Sequence, residues 1–420
     1  MGLTRRVFLA GGAHTPYIGK HHPDFIWKRH PDFGTRENPT YDQLIKSAVD
    51  GTIEDTGVNP ADIDRLYVGN FTGELFVNQG HMGAALAGAH PDFAYKPASR
   101  LEAACASGGI AMMAAVDAIA AGADLVLVVG VEVQTTVSAR QGGDFLARAA
   151  DYKRQRGIDD FTFPALFARR IQHYLEATDG TEEDLGHIAV KAYSNANKNP
   201  LAHMKARSMS IEVAGSANDR NPNFLSNEAL HPFLKISDCS QVSDGASAVL
   251  LVSEDGLRKL GRTLSDTVEI VGRGHSADNL FVDRDPLELT TTRHAASAAF
   301  EDANLTIGDI NLAEVHDCFT MAELLMYEAI GLAEKGQGYR LAREGTTRLD
   351  GAVPVNSGGG LIGFGHPVGA TGIKQPLEIF RQMKGRCGDY QVAGDLQHGL
   401  TVNMGGDDKT VVSMVLKNHS

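Results

Sequence analysis

Of the four cysteines in the chain, Cys105 has the surroundings of a nucleophile. It lies in the segment 102–109 (EAACASGG), directly before an alanine-rich run, 110–121, that favours a helix. Unpaired N–H groups and the positive end of a helix dipole favour a thiolate at a helix start. This segment alone is equally compatible with a small buried residue that fills a tight corner.

Two histidines and a second cysteine are further candidate site residues. His316 and Cys318 follow a predicted strand, and catalytic groups of α/β folds gather at the carboxyl ends of strands. His366 lies in 358–372, where seven glycines indicate a tight backbone that something approaches closely. The alternatives are structural histidines and a phosphate-binding loop, although no Gly-x-Gly-x-x-Gly after a strand and no P-loop motif occurs there.

An internal repeat indicates the elements that position these residues. Residues 54–68 and 301–315 align without a gap at a constant offset of 247, with five of fifteen positions identical. In each copy a helical stretch ends at a residue that tolerates left-handed backbone, Gly57 or Asn304, and leads into a short apolar strand. The first of these helices is predicted over 41–56. The repeat predicts a duplicated α/β domain, with chance similarity of two turns as the alternative.

The two predicted halves differ in length. Residues 134–235 are more polar and predict helices and loops inserted into the first half, which resumes with a buried strand in 242–253. The chain ends in a predicted hairpin around 405–408. We therefore divide the chain into an N-terminal half, 1–255, and a C-terminal half, 256–420.

Composition limits the partners and the compartment. The 420 residues, 43% hydrophobic and 22% charged, contain no run of about 18 apolar residues and begin without an apolar signal region, so we expect a cytoplasmic protein without a membrane span. A net charge of −13 argues against binding to nucleic acid or anionic membranes. The cysteines have no paired short spacing, which predicts free thiols rather than disulfides or a zinc site.

Taken in order, these motifs resemble landmarks of the thiolase superfamily over nearly the whole chain. The landmarks are the opening 7–17, Cys-Ala-Ser-Gly at 105–108, the strand motif at 242–248, His-Asp-Cys-Phe at 316–319, Gly-His-Pro at 365–367 and Asn-Met-Gly-Gly at 403–406. The His-Asp-Cys-Phe form resembles the sterol-carrier-protein-type thiolases and their bacterial and archaeal relatives. The resemblance implies two α/β domains in a five-layered αβαβα arrangement, with a loop domain inserted in the first half.

The resemblance also implies roles for the site residues. Cys105 would be the nucleophile that an acyl-CoA acylates, and His366 the base that takes its proton. His316 would hold a water or donate directly to one thioester oxygen. The backbone N–H groups of Cys105 and Gly405 would form a second oxyanion site.

One position departs from the pattern of many thiolases. They carry a second catalytic cysteine where this chain has Asn403. The resemblance implies that Cys318 replaces it as acid and base. Cys318 would deprotonate the α-carbon of a second acyl group in condensation, or the attacking CoA thiol in thiolysis.

Coenzyme A, as CoA or acyl-CoA, is the expected substrate, and we expect no tightly bound cofactor. The segment 187–211 has no acidic residue, and four of its positive charges could dock the CoA phosphates, with a solvated helix face as the alternative: Lys191, Lys198, Lys205 and Arg207. Family position implies that Ser240 lies along the pantetheine path and that 163–167 forms a wall of it.

Three copies of His-Pro-Asp-Phe, at 22–25, 30–33 and 90–93, raise the possibility of a metal site. Proline after each histidine and Asp-Phe after the proline are more typical of capped turns. We predict structural turns here and no metal.

The expected function is a thiolase-type acyltransferase that joins acyl-CoAs by Claisen condensation or cleaves 3-ketoacyl-CoA. The first alternative is a thiolase-like subunit that transfers an acyl group to another acceptor, or performs a retro-aldol cleavage, together with a small OB-fold-type partner protein. A non-catalytic CoA-binding protein and a Cys–His hydrolase are further alternatives. The resemblance also implies a homodimer or homotetramer.

Overall fold

The computed structural model describes residues 5–419, so residues 1–4 and 420 of the predicted halves lie outside this description. The strands are β1 (Phe8–His14), β2 (Arg65–Gly69), β3 (Ala98–Leu101), β4 (Leu125–Glu132), β5 (Gly245–Val252), β6 (Val268–Ala277), β7 (Leu312–Glu314), β8 (His398–Gly405) and β9 (Thr410–Asn418). The helices are α1 (Tyr41–Thr56), α2 (Gly73–Phe76), α3 (Met82–Ala87), α4 (Ser107–Ala120), α5 (Ala139–Leu146), α6 (Tyr152–Gln155), α7 (Thr162–Ala177), α8 (Glu182–Lys198), α9 (Ile211–Ala214), α10 (Glu254–Leu260), α11 (Thr290–Ala303), α12 (Thr320–Ala329), α13 (Gly338–Glu344), α14 (Gly360–Gly363) and α15 (Thr371–Met383).

The strand order shows the duplication directly. The strands are hydrogen-bonded in the order β3-β2-β4-β5-β1-β6-β9-β8-β7. The β layers of the two halves are joined by a short pairing of Phe8 and Leu9 in β1 with Glu269 and Val268 in β6. Within the first half, β1 and β5 are antiparallel, as are β5 and β4, while β2 is parallel to β4 and to β3. The second half repeats this order with β6, β9, β8 and β7, and a parallel bridge from Ala313 to Val355 stands where β3 would be. The predicted duplicated α/β architecture is therefore confirmed.

The predicted repeat also holds at the level of single residues. α1 covers 41–56 as predicted and ends at Gly57, with φ 69°, while α11 ends at Asn304, with φ 52°. Each left-handed residue is followed by one 3₁₀ turn, 60–62 or 307–309, and then by β2 or β7. The helix ends coincide because glycine and asparagine both tolerate the left-handed conformation that stops a helix.

Five layers result from packing the two halves together. Apolar residues of α4 and α15, such as Met112 and Leu377, pack against strands of both halves, including Val249 of β5 and Met414 of β9. α1 covers the outer face of the first half, and α11 and α12 pack on the outer face of the second. This is the αβαβα arrangement, and its two central helices both begin near the candidate site.

The first half carries the predicted insertion. β4 and β5 are antiparallel neighbours, yet the chain between them runs from 133 to 244 through α5–α9, whereas the corresponding β8 and β9 are joined by four residues, 406–409. The insertion of helices and loops and the final hairpin are thus confirmed. The division predicted between 255 and 256 falls within α10, and we keep it as a proposal.

The three His-Pro-Asp-Phe segments form the same local turn. In each, the histidine Nδ1 accepts a hydrogen bond from the N–H of the aspartate two residues later, at 3.1, 3.1 and 3.2 Å for His22, His30 and His90. The prediction of capped turns is confirmed, with the histidine side chain as the cap. Among the described residues, no helix combines the length and apolar character needed to cross a membrane.

Candidate active site

Cys105 stands on a tight turn between β3 and α4. The preceding residue, Ala104, has φ 51°, a left-handed conformation that is unusual for a residue with a Cβ atom. The Ser107 hydroxyl closes the turn, since it donates to the Ala104 carbonyl at 2.6 Å and accepts from the Ala103 N–H at 3.0 Å. Cys105 is therefore held half-buried on a strained corner, a form of backbone that concentrates at functional sites.

The thiol of Cys105 is not activated by its own surroundings. Burial raises its pKa to about 12, and this outweighs the N–H of Gly406, which bonds to the sulfur and lowers the pKa. Nearby Glu132 raises the pKa further. Desolvation therefore opposes the preference for a thiolate that the helix start is expected to provide. Cys105 needs a base to attack.

This electrostatic setting predicts how Cys105 reacts with iodoacetamide in the protein without substrate. Only the thiolate is alkylated, so well below a pKa of about 12 the rate is expected to rise about tenfold per pH unit from pH 6 to 9, without a plateau. The modification at Cys105 is to be followed by peptide mass spectrometry. A plateau between pH 6 and 8 would instead indicate a preformed thiolate–imidazolium pair.

The position and the neutral state of His366 suit it to act as a base. Its Nδ1 lies 2.6 Å from the Thr371 hydroxyl, which also reaches the Pro367 carbonyl at 3.4 Å. Because a carbonyl can only accept, the hydroxyl donates to it and accepts from Nδ1–H, which leaves the lone pair on Nε2. That Nε2 is buried and has no hydrogen-bond partner, and burial lowers the ring's pKa to about 3. The imidazole is neutral and can accept a proton.

His316 completes a trio with Cys105 and His366. One nitrogen of each ring and the Cys105 sulfur all lie within 4.8 Å of one another. The two rings meet edge to face, with centroids 5.1 Å apart. Burial, followed by the neighbouring His366, lowers the pKa of His316 well below its ordinary value, so this ring is also neutral. A neutral imidazole can donate one hydrogen bond to a substrate oxygen.

Cys318 lines the same cavity as Cys105 and His366. Burial raises the pKa of its thiol well above the ordinary value, and Cys105 and Asp317 raise it further. The neighbouring Phe319 stacks on Phe167 of α7 with ring centroids 4.3 Å apart, which ties this loop to the insertion. A thiol with a raised pKa is a weak acid whose thiolate is a strong base.

The cavity at these residues has a volume of about 460 Å³. Its walls are mostly apolar and come largely from the insertion and its borders: Leu146, Phe161, Phe163, Phe224, Ile236 and Val242. None of the described residues that line it is Lys, Arg, Asp or Glu. Such a cavity suits an apolar acyl group and a neutral arm better than a charged group.

Ser240 lies at this cavity, where family position put it. Its N–H donates to the Cys318 carbonyl at 2.9 Å, and it lines the wall beside Cys239 and Gln241. The segment 163–167 contributes Phe163 and Pro164 to the lining. Ser240 and this segment therefore line the cavity that holds Cys105, and the path of the pantetheine arm stays a prediction.

The four basic residues expected to dock CoA phosphates are not brought to this cavity. Lys191 is buried, and its ammonium group forms an ion pair with Glu323 and donates to the Tyr327 hydroxyl. Its charge is therefore already compensated and inaccessible to CoA. Lys198 and Lys205 line a separate cleft with Arg381 and Arg386. Arg207 is exposed and lies outside both sets of lining residues. The prediction is wrong for Lys191, and the cavity lining does not support it for the other three.

Sequence reasoning missed several residues that shape the site. Gly405 packs against the nucleophile turn, where a Cβ would overlap the Ala103 carbonyl, but it is the N–H of Gly406 that reaches the sulfur. Buried Glu132 accepts hydrogen bonds from the N–H groups of Phe71 at 2.8 Å and Gly369 at 3.1 Å, and so ties the His366 loop to β4. Gly406 lies in the Asn-Met-Gly-Gly motif, whereas only proximity across the fold identifies Glu132.

Comparison with known proteins assigns the family. The description "Thiolase, N-terminal domain" matches residues 31–255, more than half of the chain, and "Thiolase C-terminal domain-like" matches 272–418. The chain belongs to the thiolase family.

Two relatives show the range of names in the family. The chain is 37% identical to an acetyl-CoA acetyltransferase of Methanothermobacter thermautotrophicus over 375 residues, which is 88% of this chain and 93% of the relative. It is 30% identical to benzoylsuccinyl-CoA thiolase subunit BbsB of Thauera aromatica, over 93% of this chain and 92% of the relative. Both are named as enzymes of acyl-CoA chemistry, and this chain is a thiolase-type enzyme.

Solved structures share the fold. The Ltp2-ChsH2(DUF35) aldolase superposes with a TM-score of 0.77 at 21% identity, covering 100% of this chain and 99% of the other. Human mitochondrial 3-ketoacyl-CoA thiolase superposes with a TM-score of 0.69 at 17% identity, covering 100% of both chains. At these identities the likeness establishes the fold alone.

Proposed function

We propose that the protein transfers acyl groups between CoA and carbon through a thioester on Cys105, and so cleaves or forms 3-ketoacyl-CoA. The observation that carries this proposal is the trio: a thiol on a strained turn and two neutral imidazoles within 4.8 Å, of which the thiol and His366 line an apolar cavity. A relative 37% identical over 88% of the chain is named an acetyl-CoA acetyltransferase, which supports it.

In thiolysis, Cys105 gives its proton to His366 as its sulfur attacks the keto carbon of a 3-ketoacyl-CoA. The bond between C2 and C3 breaks, its electron pair leaves on the shortened acyl-CoA as an enolate, and the Cys318 thiol protonates that enolate. The Cys318 thiolate then takes the proton of a CoA thiol, whose sulfur attacks the thioester. Cys105 departs and takes back the proton held by His366.

Condensation runs through the same groups in reverse. An acyl-CoA acylates Cys105, whose proton passes to His366, and the departing CoA thiolate takes the proton of Cys318. The Cys318 thiolate then removes a proton from the α-carbon of a second acyl-CoA. The carbanion attacks the thioester and Cys105 leaves.

Oxygen charge that develops in these steps needs hydrogen-bond donors. In this proposal His316 donates to one thioester oxygen, and the backbone N–H groups of Cys105 and Gly405 serve the other, while the N–H of Gly406 bonds to the Cys105 sulfur. One such donor is typically worth about 10²–10³ in rate. The apolar walls also keep water away from the thioester, which separates transfer from hydrolysis.

The proposal is tested with purified protein, acetoacetyl-CoA and CoA. We expect an acetyl group on Cys105 by peptide mass spectrometry and the release of acetyl-CoA. Longer and aromatic 3-ketoacyl-CoAs, tried in parallel, test whether the 460 Å³ cavity prefers a larger acyl group. The absence of any acyl-enzyme with all of these substrates would overturn the proposal.

A further inference from the structure

The side-chain amide of Asn403 lies between the nucleophile turn and His316, near the end of β8. Its Oδ1 accepts a hydrogen bond from the N–H of Gly109 at 3.1 Å, and its Nδ2 donates to the carbonyl of Cys105 at 3.0 Å. A backbone N–H can only donate and a carbonyl can only accept, so these two bonds fix which end of the amide is nitrogen.

The amide is also held rigidly. Asn403 is only 2% exposed, and two glycines leave the space that its oxygen occupies. A Cβ at Gly109 would come within 2.7 Å of Oδ1, and a Cβ at Gly372 would overlap it. Because these glycines belong to α4 and α15, the two central helices clamp Asn403 in one orientation.

This orientation sets the protonation of His316. The Nδ2 of Asn403 lies 3.3 Å from Nδ1 of His316. An amide NH₂ offers only hydrogens, so Nδ1 has to be the unprotonated nitrogen of the neutral ring. The ring proton is then on Nε2.

We infer that Asn403 is a positioning residue that holds His316 as an Nε2–H donor and thereby keeps the trio of Cys105, His316 and His366 from binding a divalent metal. The trio has the ligand types and closeness of a zinc site. A metal-binding histidine, however, gives the N–H of its other nitrogen to an acceptor such as a carboxylate. Asn403 presents a donor at the point where a zinc site needs an acceptor.

The substitution Asn403→Asp is the direct test, because it replaces the donor by an acceptor of the same shape. The carboxylate would accept from Nδ1–H of His316 and leave the lone pair on Nε2 for a metal. Outer-shell partners of this kind change metal affinity by about 10–100-fold, so we expect the variant to bind Zn²⁺ more tightly than the wild type by that factor. We also expect acylation to slow by at least about 10²–10³, because one oxyanion donor is lost and a carboxylate cannot donate to the Cys105 carbonyl as Asn403 does; the zinc affinity is therefore the deciding measurement.

Two measurements need no acyl-CoA. Nitrogen-15 NMR of histidine-labelled protein, with His316 identified by its loss in His316→Gln, reports which ring nitrogen carries the proton. Titration with Co²⁺ is followed by the visible absorption of the metal and by the charge-transfer absorption of a metal-bound thiolate, which reports a site that includes the cysteine. In the Asn403→Asp background, Cys105→Ala should remove the charge-transfer band. Asn221→Asp is the matched control, because Asn221 is also buried, bonds to Ser237 and belongs neither to the trio nor to the cavity lining.

The role of His316 as an oxyanion donor rests on the proposed function, whereas its tautomer and the metal affinities do not. If the tautomer is as inferred but no acyl-enzyme forms, only the proposed function fails. A wild-type His316 protonated on Nδ1 would overturn the inference, as would equal zinc affinity in wild type and a folded Asn403→Asp. If that variant does not fold, the wild-type NMR measurement still decides the tautomer.

Discussion

Replacement of Cys105 by alanine is expected to abolish the acyl-enzyme and to lower turnover by about 10⁴-fold or more in both directions. The nucleophile is the one atom through which both half-reactions pass, and the described cavity offers no equivalent. The other thiol within the proposed mechanism, Cys318, follows β7 rather than the strained turn before α4 and does not share the close trio with the two histidines.

The fold of the variant should survive, because the turn is held by Ser107 and Asn403 through backbone groups rather than through the sulfur. Turnover is to be measured with acetoacetyl-CoA and CoA, and the intact mass of the protein after acyl-CoA treatment shows whether any acyl group remains bound. Cys387→Ala serves as control, since Cys387 is also a free buried thiol but lies outside the cavity lining. If Cys105→Ala retained turnover, another residue would have to be the nucleophile.

Much of the fold could be predicted because its signals are local. The apolar face of α1 and the left-handed ends at Gly57 and Asn304 depend on residues within one turn of each other. The same is true of the strands of the final hairpin. The repetition of the helix end and the following strand at one offset then predicted the duplicated architecture. The polar stretch 134–235 predicted the insertion.

The site was predictable only in part. Cys105, His316 and His366 come together over more than 200 residues of sequence, and only the family resemblance, not spacing, indicated their partnership. The charge of Lys191 appeared available for CoA because its partner, Glu323, is 132 residues away. Asn403 was noticed as the absence of a cysteine, whereas its contacts give it a positive role that no local pattern contains. Burial and long-range hydrogen bonds decide these cases, and sequence alone does not report them.

Replacement of Cys318 by alanine is expected to separate the two half-reactions. Acylation of Cys105 by an acyl-CoA depends on His366 and the oxyanion donors, and water can protonate the departing CoA thiolate in place of Cys318, so with acetyl-CoA this step should proceed close to the wild-type rate. Acylation by a 3-ketoacyl-CoA should slow, because Cys318 protonates the enolate that leaves. The second step needs a group that removes a proton from CoA or from an α-carbon. Such a general acid–base group typically raises the rate by a factor of about 10²–10⁴. Turnover should therefore fall by that factor while the acyl-enzyme accumulates.

Rapid quenching and intact-protein mass spectrometry would show this accumulation, and assays in both directions would show the loss of turnover. Cys318→Ser keeps the size of the side chain but has a far less acidic proton, so it should resemble the alanine variant rather than the wild type. That comparison matters because Cys318 packs beside Phe319 in the cavity wall, and a simple packing role predicts that serine restores activity. Full turnover in Cys318→Ala would contradict the assignment, and equal loss of acylation and turnover would indicate a structural role. If the Cys318 thiol moves protons in the second step, both variants should show a fast burst of acylation followed by slow turnover. Only the second step, in which the acyl group passes to carbon or to CoA, then lacks the group that serves as its acid and base.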